Sequence, residues 1–340
     1  MIASGPDLLR LLVLPVFAWA AWRDVRTRRL PNRLWPPLFG LGLIALGWEL
    51  LARWPLGTFS DRLFLMQAGL SLLVIAPLGY GFWWIGAFGG ADAKAMIAIA
   101  VLLPTFPRYL VGGTALPVAG TQSGVFSLTV LTNTVILAMA VPLVLAAHNA
   151  ARGNVVPAAM FLARPVAIES LPDRHGRLFE TPAGITRRGL DLDALRMYLR
   201  WRGTTLAAVR ADPAGHRNPA SIEATADPTD GATHVGPRTD GGVDGGVNGR
   251  IDGGVDAGGE AERETDPWGA ERFFADIEGS AYGSTPEKLR AALDLVAAPD
   301  RETVWVSPGL PFVVPMFAGL VVAFGYGDLL FGLLGWLGAI

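Results

Sequence analysis

The stretch VFSLTVLTNTVILAMAVPLVLAAHNA, residues 125–150, decides the fold class. It contains no Asp, Glu, Lys or Arg, and it exceeds the roughly 20 apolar residues that cross a bilayer core as a helix. A surface helix of a soluble protein would carry a polar face at this length. Reading outward, further apolar runs fall at residues 6–22, 35–52, 63–87, 93–110 and 308–337. The expected fold is an all-α polytopic membrane protein of six transmembrane helices, with a cytoplasmic insert between the fifth and the sixth. Composition agrees: the 340 residues are 51% hydrophobic and 17% charged, with mean hydropathy +0.38, too apolar for a water-soluble chain of this size.

Orientation follows from RDVRTRRLPNR, residues 23–33, the densest basic cluster of any short loop between apolar runs. Such loops stay cytoplasmic. Alternation then puts the loops at 53–62 and 108–124 outside, where the basic residues are only Arg53, Arg62 and Arg108. Both termini lie outside and the long insert inside. The first apolar run is read as a true span, because its leading flank, MIASGPD, lacks the basic residues of a secretory signal.

The organisation expected is residues 1–150 for helices one to five, 151–210 for a small cytoplasmic region, 211–266 for an Asp/Gly-rich linker, 267–303 for a helical cytoplasmic segment and 304–340 for the sixth helix. The linker repeats Asp-Gly-Gly-Val at Asp240, Asp244 and Asp252 and holds too little apolar surface to offset its chain entropy. Either side of it, Asp191 to Trp201 reads as a helix ended by Gly203. Thr285 reads as the cap of a second helix with Pro286 at its first position and Leu289, Leu293 and Val296 on one face.

Chemistry is narrowed by what is missing. There are no cysteines, which removes thiol nucleophiles, disulfides and Cys-ligated metals. His148, His175, His216 and His234 form no His-Glu-x-x-His pattern, and neither a Gly-x-Ser-x-Gly elbow nor a phosphate-binding Gly-Lys loop occurs. With 28 Lys+Arg against 30 Asp+Glu, for a net charge of −2, no basic aromatic surface for nucleic acid is formed. No metal or cofactor is expected.

Two carboxylates remain. Asp24 follows the first apolar run, where it can equally be a solvated partner of its neighbouring arginines. Asp92 lies in Gly89-Gly90-Ala91-Asp92-Ala93-Lys94 at the start of the fourth, where it can equally be a helix cap. The alternating topology puts both at the cytoplasmic side and at one depth. Two carboxylates held close share a proton, so the pair can polarise a water and protonate a leaving amide nitrogen, which is aspartic-peptidase chemistry. Lys94 reads either as a snorkelling interfacial base or as a cation biasing Asp92. Gly325-Tyr326-Gly327-Asp328 offers a rival acid, but some 20 helical residues at ~1.5 Å each carry it to the opposite face. Thr129, Thr132, Asn133 and Thr134 read as interhelical hydrogen-bonding groups.

Residues 24–32 (DVRTRRLPN), 89–94 (GGADAK) and 305–312 (WVSPGLPF) resemble the type IV prepilin peptidase family, most closely its archaeal preflagellin/prepilin peptidase branch. The resemblance covers residues 20–150 and 303–340. It implies that Asp24 and Asp92 are a catalytic pair on the cytoplasmic side of a six-span bundle, that Lys94, Gly89 and Gly90 belong to the second motif, and that Pro31 and Asn32 shape the first loop. The implied activity is endoproteolytic removal of a short basic leader from type IV pilin-like or archaellin precursors. Relatives that also methylate the new N-terminus carry a cysteine-rich segment, absent here, so peptidase activity without methyltransferase activity is expected. Glu169, Asp173, Glu180, Asp191 and Asp193 are acids that would attract a basic leader. The alternatives are an ion or proton transporter or channel, and a structural membrane subunit of a pilus or archaellum assembly.

Overall fold

The computed structural model describes residues 3–121, 123–233, 266–277, 281–309 and 311–338. The chain divides into two compact units, one formed by the residues up to Val141 together with those from Pro311 onward, the other by the intervening chain from Pro142.

The first unit is built from apolar helices. These are α1 (Gly5–Arg10), α2 (Val13–Thr27), α3 (Trp35–Ala52), α4 (Phe59–Leu70), α5 (Ala76–Trp84), α6 (Gly90–Leu102), the start of α7 (Phe126–Ala151), and, after the insert, α13 (Val313–Gly325) and α14 (Leu329–Trp336). Among the described residues, three helical stretches, Asn32–Ala52, Phe59–Trp84 and Phe126–Ala151, are long and apolar enough to cross a membrane, and Val313–Gly325 is a shorter apolar helix. The protein is a membrane protein of mainly helical structure.

The apolar runs and the helices differ in instructive places. The first run is interrupted at Leu11 and Leu12, between α1 and α2. The third holds a π-helical turn, Ser71–Ile75, where the Ser71 hydroxyl donates to the Ala100 carbonyl at 2.7 Å and meets the Ser127 hydroxyl at 2.7 Å. Such turns mark places where side chains reset the helical ladder. The fourth run ends early: α6 stops at Leu102, and residues 109–116 form a hairpin, β1 (Tyr109–Val111) against β2 (Thr114–Leu116). Its two-residue turn is Gly112-Gly113, both at positive φ (57° and 86°), as a tight hairpin demands. The sixth run is broken at Tyr326-Gly327-Asp328. The all-α expectation is thereby corrected by short strands that apolar content alone does not reveal.

Close packing around α6 sets the positions that matter. A Cβ on Gly42 of α3 would lie 2.9 Å from Val101 Cγ1 and 3.0 Å from the Leu102 amide nitrogen. Small residues at such crossings let backbones approach and gain dispersion contacts that lipid cannot match. At the end of α6 away from Asp92, Arg10 is 1% exposed. It donates to Asp7 at 3.0 Å, Glu49 at 2.7 Å and the Leu102 carbonyl at 3.1 Å, placing a cation on a helix C-terminus. Arg53 joins Glu49 at 3.1 Å and Asp61 at 3.8 Å.

The second unit has its own core. Strand β3 (Arg164–Ala167) and β4 (Arg177–Leu178) flank the central β7 (Thr303–Ser307) antiparallel, with Val166 opposite Val304 and Leu178 opposite Val306. A second pair is β5 (Glu180–Thr181) with β6 (Gly184–Ile185). Around them lie α8 (Leu192–Trp201), α9 (Leu206–Ala211), α10 (Pro213–Arg217), α11 (Ala270–Asp276) and α12 (Pro286–Val296). Tyr198, Trp201, Trp268 and Phe273 are buried together. Asp191 caps α8, Gly203 follows it at φ +64°, and Thr285 caps α12 over Pro286, with Leu289, Leu293 and Val296 fully buried. Within the expected linker, residues 211–233 carry α10 and bury Ile222 in this core. The Asp-Gly-Gly-Val repeat lies outside the described residues.

Candidate active site

Asp24 is aimed by the periodicity of α2. Val13, Phe17, Ala20 and Ala21 form the buried stripe of that helix, and Asp24 continues it three residues on, only 7% exposed. Helix α13, which has no charged residue, packs against α2. An acid on an apolar stripe is an anomaly that burial alone does not favour. The solvated reading of Asp24 is thus replaced by a buried one.

Asp92 sits in the first turn of α6, whose cap is the extended Gly89 with no side-chain bond. The carboxylate folds back to accept from the Gly89 amide. A Cβ at Gly89 would stand 3.2 Å from Asp92 Oδ2, so glycine leaves that return path open. Gly90 opens the helix. The turn that needs positive φ is at Gly86 (+73°), just upstream.

Both acids lie beyond the ends of the apolar runs at 6–22 and 93–110. Burial pushes Asp92 up to about 7, and the Asp24 carboxylate adds to the rise, opposed by the Gly89 amide and Arg28. Burial likewise raises Asp24, and Arg28 opposes it. The Asp24 carboxylate thus acts electrostatically on Asp92, as a neighbouring negative charge does.

The loop after α2 is tied to α6: Lys94 Nζ donates to Asn32 Oδ1 at 2.8 Å, with Pro31 just ahead at φ −68°. Lys94 thus bridges two sequence motifs. Arg28, which motif reading passed over among its neighbouring arginines, is a positive charge that opposes the rise of both acids.

Asp328 is a structural acid. It is 2% exposed, accepts from the Leu330 and Phe331 amides at 2.9 and 3.1 Å as the cap of α14, and accepts from the Thr129 hydroxyl at 3.0 Å. Asn133 donates to the Gly327 carbonyl at 2.7 Å and accepts from the Leu329 amide at 2.9 Å. Thr129 and Asn133 therefore do join elements, whereas Thr132 and Thr134 donate within their own helix, to Leu128 and Val130. Among the described residues, no group of three His, Asp or Glu side chains converges as metal ligands. Of the acids expected to attract a basic leader, Glu180 pairs with Arg301, Asp193 with Arg196, and Asp191 caps α8; Glu169 and Asp173 are exposed.

Comparison with known proteins gives two family matches. Residues 11–144 match the type IV leader peptidase family, and residues 260–329 match the archaeal peptidase A24 C-terminus, type II. The chain is also similar to the prepilin peptidase EppA of Methanothermobacter thermautotrophicus, 34% identical over 140 residues, which is 40% of this chain. The match spans 34% of that relative's length. No solved structure matches.

Proposed function

We propose that the chain, which matches the type IV leader peptidase family over residues 11–144 and the archaeal peptidase A24 C-terminus over residues 260–329, is a membrane-embedded aspartic endopeptidase. Its substrates are type IV pilin-like or archaellin precursors, from which it removes the short basic leader at the cytoplasmic face. The observation that carries this reading is the buried Asp24 acting electrostatically on the half-buried Asp92.

In this mechanism the ionised member of the pair takes a proton from a water as that water's oxygen bonds to the scissile carbonyl carbon. The protonated member donates to the amide nitrogen as the C–N bond breaks, and the pair exchanges roles to reset. Six spans, both termini outside and the insert inside would put the pair where a leader arrives from the cytoplasm while the substrate's apolar segment stays in lipid. Asn32 and Lys94 hold the first loop against α6, and Gly89 keeps Asp92 folded back. No residue set for a methyl donor is part of this reading, which is peptidase activity alone. The transporter alternative draws no support from the remaining acids near the bundle, since Glu49 and Asp328 are both engaged in structural bonds.

The test is cleavage, in membranes, of a precursor with a basic leader followed by an apolar helix. Asp24→Asn and Asp92→Asn each lose at least about 1,000-fold in rate, in the range seen when an essential acid or base is removed. Asp328→Asn still cleaves. Normal cleavage by both Asp24→Asn and Asp92→Asn would overturn the mechanism.

A further inference from the structure

Helix α7, long and apolar enough to cross a membrane, is followed by a second apolar stretch that is too short to do so. Gly153, at φ +75°, ends the helical turn, and the Arg152 and Asn154 amides donate back to the Asn149 carbonyl at 3.1 and 2.9 Å. The next nine residues, VVPAAMFLA (155–163), contain no polar side chain. They fold into two overlapping turns. The Ala159 and Met160 amides donate to the Val156 carbonyl at 2.9 and 2.8 Å, and the Leu162 and Ala163 amides to the Ala159 carbonyl at 2.9 and 2.8 Å. Asn149, 1% exposed in the last turn of α7, donates through Nδ2 to the Met160 and Ala163 carbonyls, both at 2.8 Å. The turns are therefore pinned to the helix end.

These turns have two faces. Ala159 and Ala163 are fully buried and, with Val156, pack against Phe179 and Trp305. Val155, Pro157, Ala158, Phe161 and Leu162 are exposed. Every exposed side chain of the stretch is thus apolar, whereas the exposed loop 223–230 of the same unit, EATADPTD, is largely polar. A cluster of exposed apolar side chains of this kind marks a contact with protein or lipid. Two features favour lipid. The first is continuity: Leu143 and Val144 are exposed on α7 itself, and Val144 lies only about 10 Å along the helix axis from Ala151. The 26 residues of α7 measure roughly 39 Å against a hydrocarbon core of about 30 Å, so the helix end reaches the headgroup layer. The second is charge: Arg152 and Arg164 bracket the apolar stretch, as cations flank apolar segments at a bilayer surface.

We propose that residues 155–163 are an interfacial foot, whose exposed face sits at the boundary of acyl chains and headgroups in the leaflet where α7 ends, with Arg152 and Arg164 serving anionic headgroup phosphates. An apolar face buried at this boundary reaches about 5–10 Å into the bilayer. Strand β3 begins at Arg164 and forms one edge of the sheet β3-β7-β4, so the foot brings that edge to the membrane surface. The insert is thereby seated on lipid at its first turns, a contact independent of any peptidase activity.

The chain has no cysteine, so single cysteines report on single positions. Phe161→Cys and Leu162→Cys are made in the full-length protein, with Val144→Cys as the lipid reference and Ala224→Cys, exposed in the polar loop, as the water reference. Each is labelled with a nitroxide and reconstituted into phosphatidylcholine vesicles containing phosphatidylglycerol. Collision with oxygen, which concentrates among acyl chains, is compared with collision with a water-soluble nickel chelate. The oxygen-to-nickel ratio at positions 161 and 162 is expected to exceed that at 224 several-fold and to approach that at 144. Ratios at 161 and 162 equal to that at 224 overturn the proposal. Labels reached by neither reagent mean that protein covers the face, and overturn it equally. Arg152→Gln with Arg164→Gln should lower the ratio at 161 in these vesicles but not in phosphatidylcholine alone; no change in either overturns the headgroup role of the arginines.

Discussion

The carboxylate of Asp328 accepts from the Thr129 hydroxyl and from two amides of its own turn, so both oxygens already have donors. Asp92 receives one amide, from Gly89, and has another carboxylate for company. The two acids thus respond to mutation differently. Asp328→Ala should destabilise the protein by about 1–3 kcal/mol, the cost of a lost cap and an unsatisfied buried hydroxyl. Thermal unfolding in detergent would show this, while the cleavage rate per folded molecule stays within a few-fold. For the pair, the sign follows from the direction of the shift. Asp92 is raised to about 7, so the acid form that the proposed mechanism needs to protonate the leaving nitrogen persists well above the ordinary carboxylate range. Cleavage should therefore be sustained below neutrality and fall on the alkaline side as that proton is lost, with a limb near pH 7. A rate that kept rising from pH 6 to 9 would contradict it.

Helix α6 is only as well placed as the helices that grip it. Gly42 brings α3 within van der Waals contact of Val101 and Leu102, and Gly79 of α5 would carry a Cβ 3.3 Å from Ile97 and Met96. Asp92 lies about ten residues, or roughly 15 Å, up the same helix from the Gly42 contact. Gly42→Leu should force α3 and α6 apart, since its Cβ alone would meet the Leu102 backbone. The expected result is at least about 2 kcal/mol of destabilisation from overpacking, with a loss of cleavage that is larger than the unfolded fraction accounts for. Gly40, with nothing near its Cβ position, is the control: Gly40→Ala should be silent in the same two measurements.

The insert between the bundle's halves is more than a tether. Residues 164–222 and 266–307 share a core in which Trp201 and Trp268 are fully buried, their indole N–H groups donating to Asp276 and Asp294. The Asp-Gly-Gly-Val region can be tested without touching that core. Replacing residues 234–265 with a short Gly/Ser linker should leave precursor cleavage in membranes within a few-fold of wild type. Loss of function with an intact bundle would instead favour an assembly subunit whose insert is the working part. The exposed acids Glu169 and Asp173 make a separate prediction. Their double charge reversal should raise KM for a basic leader several-fold at low salt and little at high salt, because exposed charges are screened within about 10 Å at 0.1 M salt. Unchanged KM at low salt would remove electrostatic recruitment from the account.

Apolar run length, the arginine cluster at 23–33 and the helix caps at Asp191 and Thr285 depend on neighbours in the chain, and all were legible before any contact was known. So were Asp24 and Asp92 as candidates, since few acids flank apolar runs. The breaks at Ser71 and Gly327 were not legible, because each depends on a partner distant in sequence: Ser71 on Ala100 and Ser127, Gly327 on Asn133. The buried Arg10 was hidden inside an apolar run, and its counter-charge Glu49 lies 39 residues away. What surrounds each acid was decided in the same way. Gly-Tyr-Gly-Asp328 and Gly-Gly-Ala-Asp92 read alike as strings, and only packing supplies Thr129 to one and Asp24 to the other. Local patterns are written by residues close along the chain, whereas burial, charge coupling and hydrogen-bond satisfaction arise between residues that meet only when the chain folds.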